Sequence, residues 1–355
     1  MQLARRPSNL GGIMRRQNTF TKGEIPTGKH FLVCCDGSDL SLRGVLLAAY
    51  LMGERDRIKV ITVDMPAPPP PDTVEESVAI GMVGKRTANE VLTDARLILT
   101  KCGVLQSRVE VEELDLEEET SGGAETLAAV AKTIVRQANA LLRRTPGMLV
   151  LGATDVKTAQ TGKAGKAVSL GPVALQVLKE ARCTVAFCKD LDVIPLSLGH
   201  LQKRDALHVM VCVDENRVSR AAFDAALKFC QPGDQLSVVH AHDPGASQTA
   251  KERSEKVTET YWSGEVAKCQ ESREQLAISW NLVSKTPSIV ESLLNFAAAE
   301  KVQLIVMGSV ELMKVSKDSV VLGSVAQQIA KRSTAHVCVV KNFSQDAFGF
   351  AKVQA

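Results

Sequence analysis

The sequence has few of the features that mark a membrane protein, a metalloprotein or a nucleic-acid-binding protein. No apolar run reaches the roughly 18 residues of a membrane-spanning helix. The nine cysteines include no Cys-x-x-Cys pair and no zinc-ligand spacing, so we interpret them as small hydrophobic residues kept reduced inside a cell. The formal net charge is only +3, which argues against the basic surface of a nucleic-acid-binding domain. We therefore expect no structural metal, no nucleic-acid partner and no membrane association.

Sequence motifs of common catalytic sites are also missing. There is no Gly-x-Ser-x-Gly motif, and no cysteine is spaced with a histidine that could activate it. The stretch TGKAGKAVSLGP, residues 161–172, resembles a phosphate-binding loop in composition. A Walker loop, however, would need a glycine in place of Gln160 and a hydroxyl in place of Ala167. We expect a protein that is not an enzyme, because even weak residual ATPase activity would need a general base that the sequence does not identify.

The N-terminal residues 1–29 differ in composition from the rest of the chain. They contain six basic residues, one acidic residue and few apolar side chains. A segment of this composition cannot bury enough surface to order itself, so we predict a disordered basic tail in a cytoplasmic protein. Two other interpretations stay open: an Arg-rich presequence, which would place the protein in an organelle, and a substrate segment for basophilic kinases.

The rest of the chain contains the same series of apolar runs twice. Both series open with a strand, a sharp turn and an amphipathic helix, and both close with two further strands. The matching segments are HFLVCCDGSD and LHVMVCVDEN, MLVLGAT and LIVMGSV, and CTVAFCK and AHVCVVK. This repetition predicts two tandem domains, which span residues 30–189 and 207–342. Residues 190–206 would link them, and residues 343–355 would form a C-terminal tail.

The predicted strands are continuous apolar runs separated by helical patterns. Such runs are typical of a parallel sheet with helices on both faces, so the predicted fold class is a doubly wound α/β domain in each half. In such sheets, ligands bind beyond the carboxyl ends of the strands, where the strand order reverses. Candidate site residues should therefore follow the first, second and fourth strands of each half.

Three of these segments resemble the universal stress protein family. They are VCCDGSD with its following helix, a second strand that ends in His-Ala-His-Asp, and LIVMGS followed by LGSVAQQIAKRSTAHVCVV. The resemblance covers residues 30–342 as a tandem pair. It implies two flavodoxin-like domains, also described as adenine nucleotide alpha hydrolase-like. It also implies pairing of the last strands, either as an internal pseudo-dimer through 183–189 and 335–341 or as a homo-oligomer. In one branch of the family, it implies ATP binding, with magnesium, without a common catalytic reaction.

The resemblance also implies the positions of nucleotide-binding residues. In the ATP-binding branch, an aspartate after the first strand recognises the adenosine, and a glycine-rich loop after the fourth strand ends in Gly-Ser or Gly-Thr at a helix N-terminus. Glycines let backbone N–H groups approach phosphates, and a helix N-terminus favours anions. The preferred site, in the second domain, would consist of Asp214, Ala241, Gly308, Gly323 and Ser324. A degenerate site in the first domain would consist of Asp36, Val63, Gly152 and Gly171.

Both copies depart from this pattern. The middle glycine of the loop is replaced by Asp155 in the first copy and by Glu311 in the second. A carboxylate about 4 Å from a phosphate costs about 4 kcal/mol at an effective dielectric constant near 20. The first copy also has Pro172 where the second has Ser324, a residue that we expect to form a capping box with Gln327. The second copy is therefore the better candidate for phosphate binding.

Two histidines of the second domain need a separate interpretation. His240 and His242 lie on one face of a predicted strand, but no third ligand is spaced to complete a metal site, so we favour packing. Two functions are consistent with the sequence. The first is a non-enzymatic, stress-response-type protein that binds or senses a small molecule. The second is a scaffold of the same fold that has lost nucleotide binding and acts through protein partners.

Overall fold

The computed structural model describes most of both predicted domains. The described residues are 28–63, 86–116, 124–142, 146–153, 170–189, 206–214, 216–242, 248–309 and 323–341. The predicted linker up to residue 205, the C-terminal tail, and the loops that contain Asp155 and Glu311 lie outside them, as do residues 1–27. Lys29, which we assigned to the disordered tail, is held in place: its backbone N–H donates to Asp56 Oδ1 at 2.8 Å, and its Nζ lies 3.3 Å from Asp56 Oδ2. The described part of the chain thus begins before the predicted boundary of the first domain.

The described residues form strands and helices that alternate along the chain. In the first half these are β1 (His30–Cys34), α1 (Asp39–Leu51), β2 (Arg57–Val63), α2 (Ala88–Lys101), β3 (Val109–Leu114), α3 (Ala124–Leu142), β4 (Gly147–Gly152), α4 (Pro172–Glu180) and β5 (Thr184–Cys188). In the second half these are β6 (His208–Cys212), α5 (Arg217–Phe229), β7 (Gln235–His242), α6 (Gln248–Ser272), β8 (Ala277–Ser284), α7 (Ile289–Ala299), β9 (Leu304–Ser309), α8 (Ser324–Arg332) and β10 (His336–Lys341).

All ten strands belong to one sheet, in the order β3-β2-β1-β4-β5-β10-β9-β6-β7-β8. Neighbouring strands within each half are parallel. The two halves thus have the same strand order, read outward in opposite directions from the centre. The predicted α/β class with parallel sheets is confirmed. In each half, the strand order reverses next to the first strand, between β1 and β4 and between β6 and β9, and this is where a ligand crevice is expected.

The two halves meet where β5 pairs with β10, a junction that we call the seam. This pair is the antiparallel one, with Ala186 opposite Cys338 at its centre. Every residue of both strands is buried. Because each strand has a neighbour on both sides, neither can also pair with a second chain. The expectation of a homo-oligomer through the last strands is therefore wrong for this arrangement: the pairing is satisfied within the chain.

The hydrophobic core forms two layers, one on each face of the sheet. Both layers continue across the two halves. One layer contains Leu46 of α1 and Phe223 of α5, and the other contains Val177 of α4 and Ile329 of α8. Each of these side chains is at most 1% exposed. The continuous layers explain why the central strands of the sheet are apolar without alternation, since both faces of the sheet are covered there.

Candidate functional site

A cleft of about 260 Å³ opens at the carboxyl ends of β6, β7 and β9. It lies where the strand order of the second half reverses, which is the expected place for a ligand in this fold. Its apolar wall is formed by Val239, Ile289, Leu293 and Met307, and its polar groups come from Asp214, Asn216, Ser219 and Ser324. All five residues of the predicted second-half site line this one cleft: Asp214, Ala241, Gly308, Gly323 and Ser324.

The carboxylate of Asp214 is exposed but already hydrogen-bonded within the protein. The backbone N–H of Asn216 donates to Oδ1 at 2.8 Å, and its side-chain amide donates to Oδ2 at 2.6 Å. The hydroxyl of Ser219 donates to Oδ1 at 2.6 Å. Asn216 also caps α5 by accepting from the Ser219 backbone N–H. The orientation of Asp214 is therefore fixed by the same residues that begin the helix.

Asn216 and Ser219 were not predicted as part of the site. Asparagine is a common N-cap residue, so the spacing Asn216-x-x-Ser219 could have identified this part of the site from the sequence. A third unpredicted contribution comes from α6: Trp262 Nε1 donates to the Asp214 backbone carbonyl at 3.1 Å. Trp262 lies 48 residues from Asp214 along the chain. No local sequence pattern relates the two.

Gly308 has a structural reason to be glycine. A Cβ atom placed there would lie 2.5 Å from Val218 Cγ1 and 2.9 Å from the Val218 backbone carbonyl. Gly152 is equivalent in the first half, where a Cβ atom would lie 2.9 Å from the Ser41 backbone nitrogen. At both positions the missing side chain lets the first helix of that half pack directly against the strand. The predicted role of Gly308 in admitting a phosphate is thus not needed to explain the residue.

The phosphate side of the predicted site is the start of α8. Gly323 is the N-cap residue of this helix, and no side-chain cap hydrogen bond is formed. The predicted capping box of Ser324 with Gln327 is therefore wrong: Ser324 is the first helical residue, and the Gln327 backbone N–H bonds to the Gly323 carbonyl at 3.0 Å. The side chain of Ser324 is exposed. Its hydroxyl and the N–H groups of the first turn together can receive an anion.

The predicted first-half site has its residues at the equivalent positions. Asp36 follows β1, Val63 and Gly152 end β2 and β4, and Gly171 is the N-cap of α4. The Asp36 carboxylate accepts from the Ser38 backbone N–H at 2.9 Å. The helix that Gly171 begins has proline as its first residue. It therefore offers neither the hydroxyl nor the N–H group that Ser324 supplies in the second half.

The two histidines of β7 are accounted for by contacts within the sheet. His240 Nδ1 donates to the Val213 carbonyl at 2.9 Å, since a carbonyl can only accept. The ring is stacked on that of Trp280, with centroids 6.4 Å apart. The ring alternates with Val239 and Ala241 and so lies on the opposite face of the sheet from them, yet His240 is among the residues that line the cleft. The described residues contain no group of three or more potential metal ligands.

One thiol lies at the wall of the cleft. Burial, with a smaller contribution from Asp214, raises the pKa of Cys212 from 9.0 to about 12. The thiol is therefore protonated at neutral pH and is a poor nucleophile. The chemistry available at the cleft is binding through an apolar wall, a fixed carboxylate and a helix N-terminus.

Among known protein families, one matches the second half of the chain. Residues 207–341 match the model of the universal stress protein family. The second half of the chain is therefore a universal stress protein domain. No curated protein matches the chain. None of the helices among the described residues is long and apolar enough to span a membrane.

Solved structures extend the likeness over both halves. A universal stress protein from Archaeoglobus fulgidus DSM 4304 is 18% identical and matches with a TM-score of 0.53, over 88% of this chain and 98% of that chain. A functionally unknown protein from Pseudomonas aeruginosa PAO1 is 15% identical and matches with a TM-score of 0.50, over 90% and 94%. A universal stress protein solved in complex with cAMP is 21% identical, over 39% of this chain and 98% of that chain, with a TM-score of 0.28. At these identities the first two matches show a shared fold over most of the chain.

Proposed function

We propose that the cleft of the second half binds an adenine nucleotide and that the chain is a non-enzymatic binding or sensing protein of the stress-response type, working in the cytoplasm. One observation carries this proposal: the five residues matched to the ATP-binding pattern, which are separated by up to 110 positions along the chain, line the same cleft. The proposal assigns the adenosine to Asp214 and Ala241 and the phosphates to Gly308, Gly323 and Ser324, with magnesium bound alongside ATP.

The size and chemistry of the cleft suit the base and the sugar better than a whole triphosphate. Its volume of about 260 Å³ is just below the roughly 300–1,000 Å³ of common small-molecule sites. Val239, Leu293 and Met307 supply the apolar surface on which a base can rest. The phosphates would then lie at the mouth of the cleft, against the first turn of α8, where the unpaired N–H groups and the helix dipole favour negative charge.

For the first half we propose a weaker equivalent of this site. Asp36, Val63, Gly152 and Gly171 would occupy the same positions around a nucleotide. Pro172 removes a hydroxyl and an N–H group from the phosphate side. We therefore expect one tightly bound nucleotide per chain, in the second half.

The experiment is calorimetric titration of the purified protein with ATP and magnesium, preceded by acid extraction to detect nucleotide that is already bound. We expect saturable heat that is lost in Asp214→Ala and in Ser324→Ala. The matched control is Asp36→Ala, which removes the equivalent carboxylate from the first half and should leave binding unchanged. Silence of the intact protein up to millimolar ATP, with no extracted nucleotide, would exclude the proposal. Release of phosphate from ATP would contradict its non-enzymatic part.

A second candidate function is a scaffold that has lost nucleotide binding. The observation that favours it is the state of Asp214, whose two carboxylate oxygens already accept three hydrogen bonds from Asn216 and Ser219. A carboxylate engaged in this way gains less from a ligand, because new bonds must share or replace existing ones. In this case the titration stays silent in the intact protein while its folding and thermal stability are normal.

A further inference from the structure

The two edges of the ten-stranded sheet differ in charge. β3 and β8 hold the same place in their respective halves and form the two ends of the sheet. β3 reads VEVEEL and has glutamates at positions 110, 112 and 113. Lys59 of the neighbouring strand β2 pairs with Glu110 and Glu112, yet the Glu110 side chain stays 65% exposed. Charges of this kind protect an edge, because a strand added there would have to desolvate them.

The opposite edge has no such protection. β8 reads AISWNLVS, eight residues without a single charge. Leu282 near its end is 45% exposed, and Ser279 and Ser284 are exposed as well. An uncharged edge strand of this length is a template for pairing with another strand. Among the described residues, no strand pairs with the outer side of β8.

The hydrogen bonds of β8 show which of its backbone groups face outward. The N–H groups of Ala277 and Lys285 donate to the carbonyls of Asp234 and His242, at the two ends of β7. Since backbone groups alternate in direction along a strand, those of the even-numbered residues 278, 280, 282 and 284 point away from β7. Two of them have side-chain partners: Gln270 Nε2 donates to the Ile278 carbonyl at 2.6 Å, and Ser292 Oγ donates to the Ser284 carbonyl at 2.8 Å.

We propose that β8 is a dimerisation edge, which pairs antiparallel with β8 of a second copy of this chain. A twofold pairing places the strand opposite itself, and like charges directly opposite each other would destabilise it. No such pair arises in any register, because Ala277–Ser284 contains no charge. The alternative pairing of β8 with β3 of another copy would have to desolvate the glutamates of β3. It would also be a heterologous contact, and such contacts produce open filaments unless a ring closes.

The test is sedimentation velocity of the full chain at a series of concentrations. We expect a reversible monomer–dimer equilibrium that shifts fully to monomer in Leu282→Glu, which places a carboxylate on the pairing edge. The matched control is Leu97→Glu on α2, where the leucine is 47% exposed against 45% for Leu282. This variant should dimerise like the original protein. A chain that stays monomeric at every concentration overturns the proposal, as does a dimer that persists in Leu282→Glu.

A second variant separates loss of pairing from loss of folding. The N–H of Leu282 points outward, so Leu282→Pro removes a donor from the pairing edge without removing one from the β7–β8 ladder; edge strands tolerate proline at such positions. We expect Leu282→Pro to be folded, by circular dichroism, and monomeric. In the original protein, the amides of Trp280, Leu282 and Ser284 should exchange more slowly with deuterium as concentration rises. Exchange that is independent of concentration, or growth of species beyond the dimer, would contradict a closed β8–β8 contact.

Discussion

Lys189 Nζ donates a 2.9 Å hydrogen bond to the backbone carbonyl of Ser333, on the other side of the seam. Lys341 makes the equivalent bond in the opposite direction, to the carbonyl of Ala181. Ser333 and Ala181 are the C-cap residues of α8 and α4, the last helices of the two halves. Each half therefore sends a buried lysine to the C-terminal end of the other half's final helix, where carbonyl groups without an intrahelical partner accept its hydrogen bonds.

Burial affects the ionisation of the first of these lysines. Lys189 is 0% exposed, and desolvation lowers its pKa from 10.5 to about 7. Between pH 7 and pH 10.5 the unfolded chain therefore carries a proton at this amine that the folded chain does not. The destabilisation caused by burying this amine is therefore largest below pH 7, and it falls to zero as the pH rises to 10.5.

The first prediction concerns Lys189→Met, which keeps the apolar stem and removes the amine. Above pH 10 the variant should be less stable than the original protein by about 1–3 kcal/mol, because the buried Ser333 carbonyl loses its donor. As the pH falls towards 7, this difference in the free energy of unfolding should narrow. The reason is that only the original protein loses stability by keeping a buried amine unprotonated or by burying its charge. Urea unfolding of both proteins at several pH values measures the difference. The exposed Lys179→Met on α4 is the control, and a difference that does not vary with pH would contradict the assigned cause.

The second prediction tests the packing explanation of Gly308. Gly308→Ala should destabilise the protein by about 1–3 kcal/mol in the absence of any ligand, because the new Cβ atom would collide with Val218 of α5. Gly264 within α6 is the matched control, since nothing lies within 4 Å of a Cβ atom placed there. Gly264→Ala should stabilise the protein by up to about 1 kcal/mol through helix propensity. Equal melting temperatures for the two variants would show that Gly308 is not required for packing.

The overall fold was predictable because its signals repeat along the chain. Continuous apolar strands and amphipathic helices occur in the same order twice, so the α/β class and the pairing of the last strands followed from pattern and resemblance. The cleft residues were also placed at strand ends, as the topology of parallel sheets requires. What the sequence could not show were contacts between distant residues, such as Trp262 with Asp214 or Lys189 with Ser333. These depend on how helices pack, and residue spacing carries no information about that.

Two predictions, one at the start of α8 and one at the seam, were wrong for physical reasons. A capping box was predicted at Ser324 from the Ser-x-x-Gln spacing, but the helix begins one residue earlier and the serine is inside its first turn. A homo-oligomer through the last strands was left open because a single domain of this fold has a free edge there. In a tandem chain that edge is covered by the other half, which is always present at high effective concentration.

The third prediction compares two serines that occupy equivalent positions in the two halves. Ser41 and Ser219 each accept a hydrogen bond from the backbone N–H of the aspartate after the first strand, at 3.2 Å and 2.9 Å. Ser219 then donates to the carboxylate of Asp214, whereas Ser41 donates to the Ser38 carbonyl. Hydrogen bonds to an ionised group are roughly twice as strong as neutral ones. Ser219→Ala should therefore lower the free energy of unfolding more than Ser41→Ala, measured by urea denaturation. The reverse order would show that the Asp214 carboxylate is not held as described.

The fourth prediction uses the two tryptophans of the chain as reporters of the cleft. Trp262 is 1% exposed, stacks edge-on against Phe223, and donates its indole N–H to the Asp214 carbonyl. A ligand that engages Asp214 will alter this bond, so the emission of Trp262 should change when ATP with magnesium is added. Trp280 packs in the same core layer as Trp262, but its ring is stacked on His240 and it does not line the cleft. The fluorescence change should therefore persist in Trp280→Phe and be lost in Trp262→Phe, while calorimetry still detects binding in both. A change that follows Trp280 instead would show that the ligand does not act through the contact between Asp214 and Trp262, and the assignment of Asp214 to the ligand would have to be abandoned.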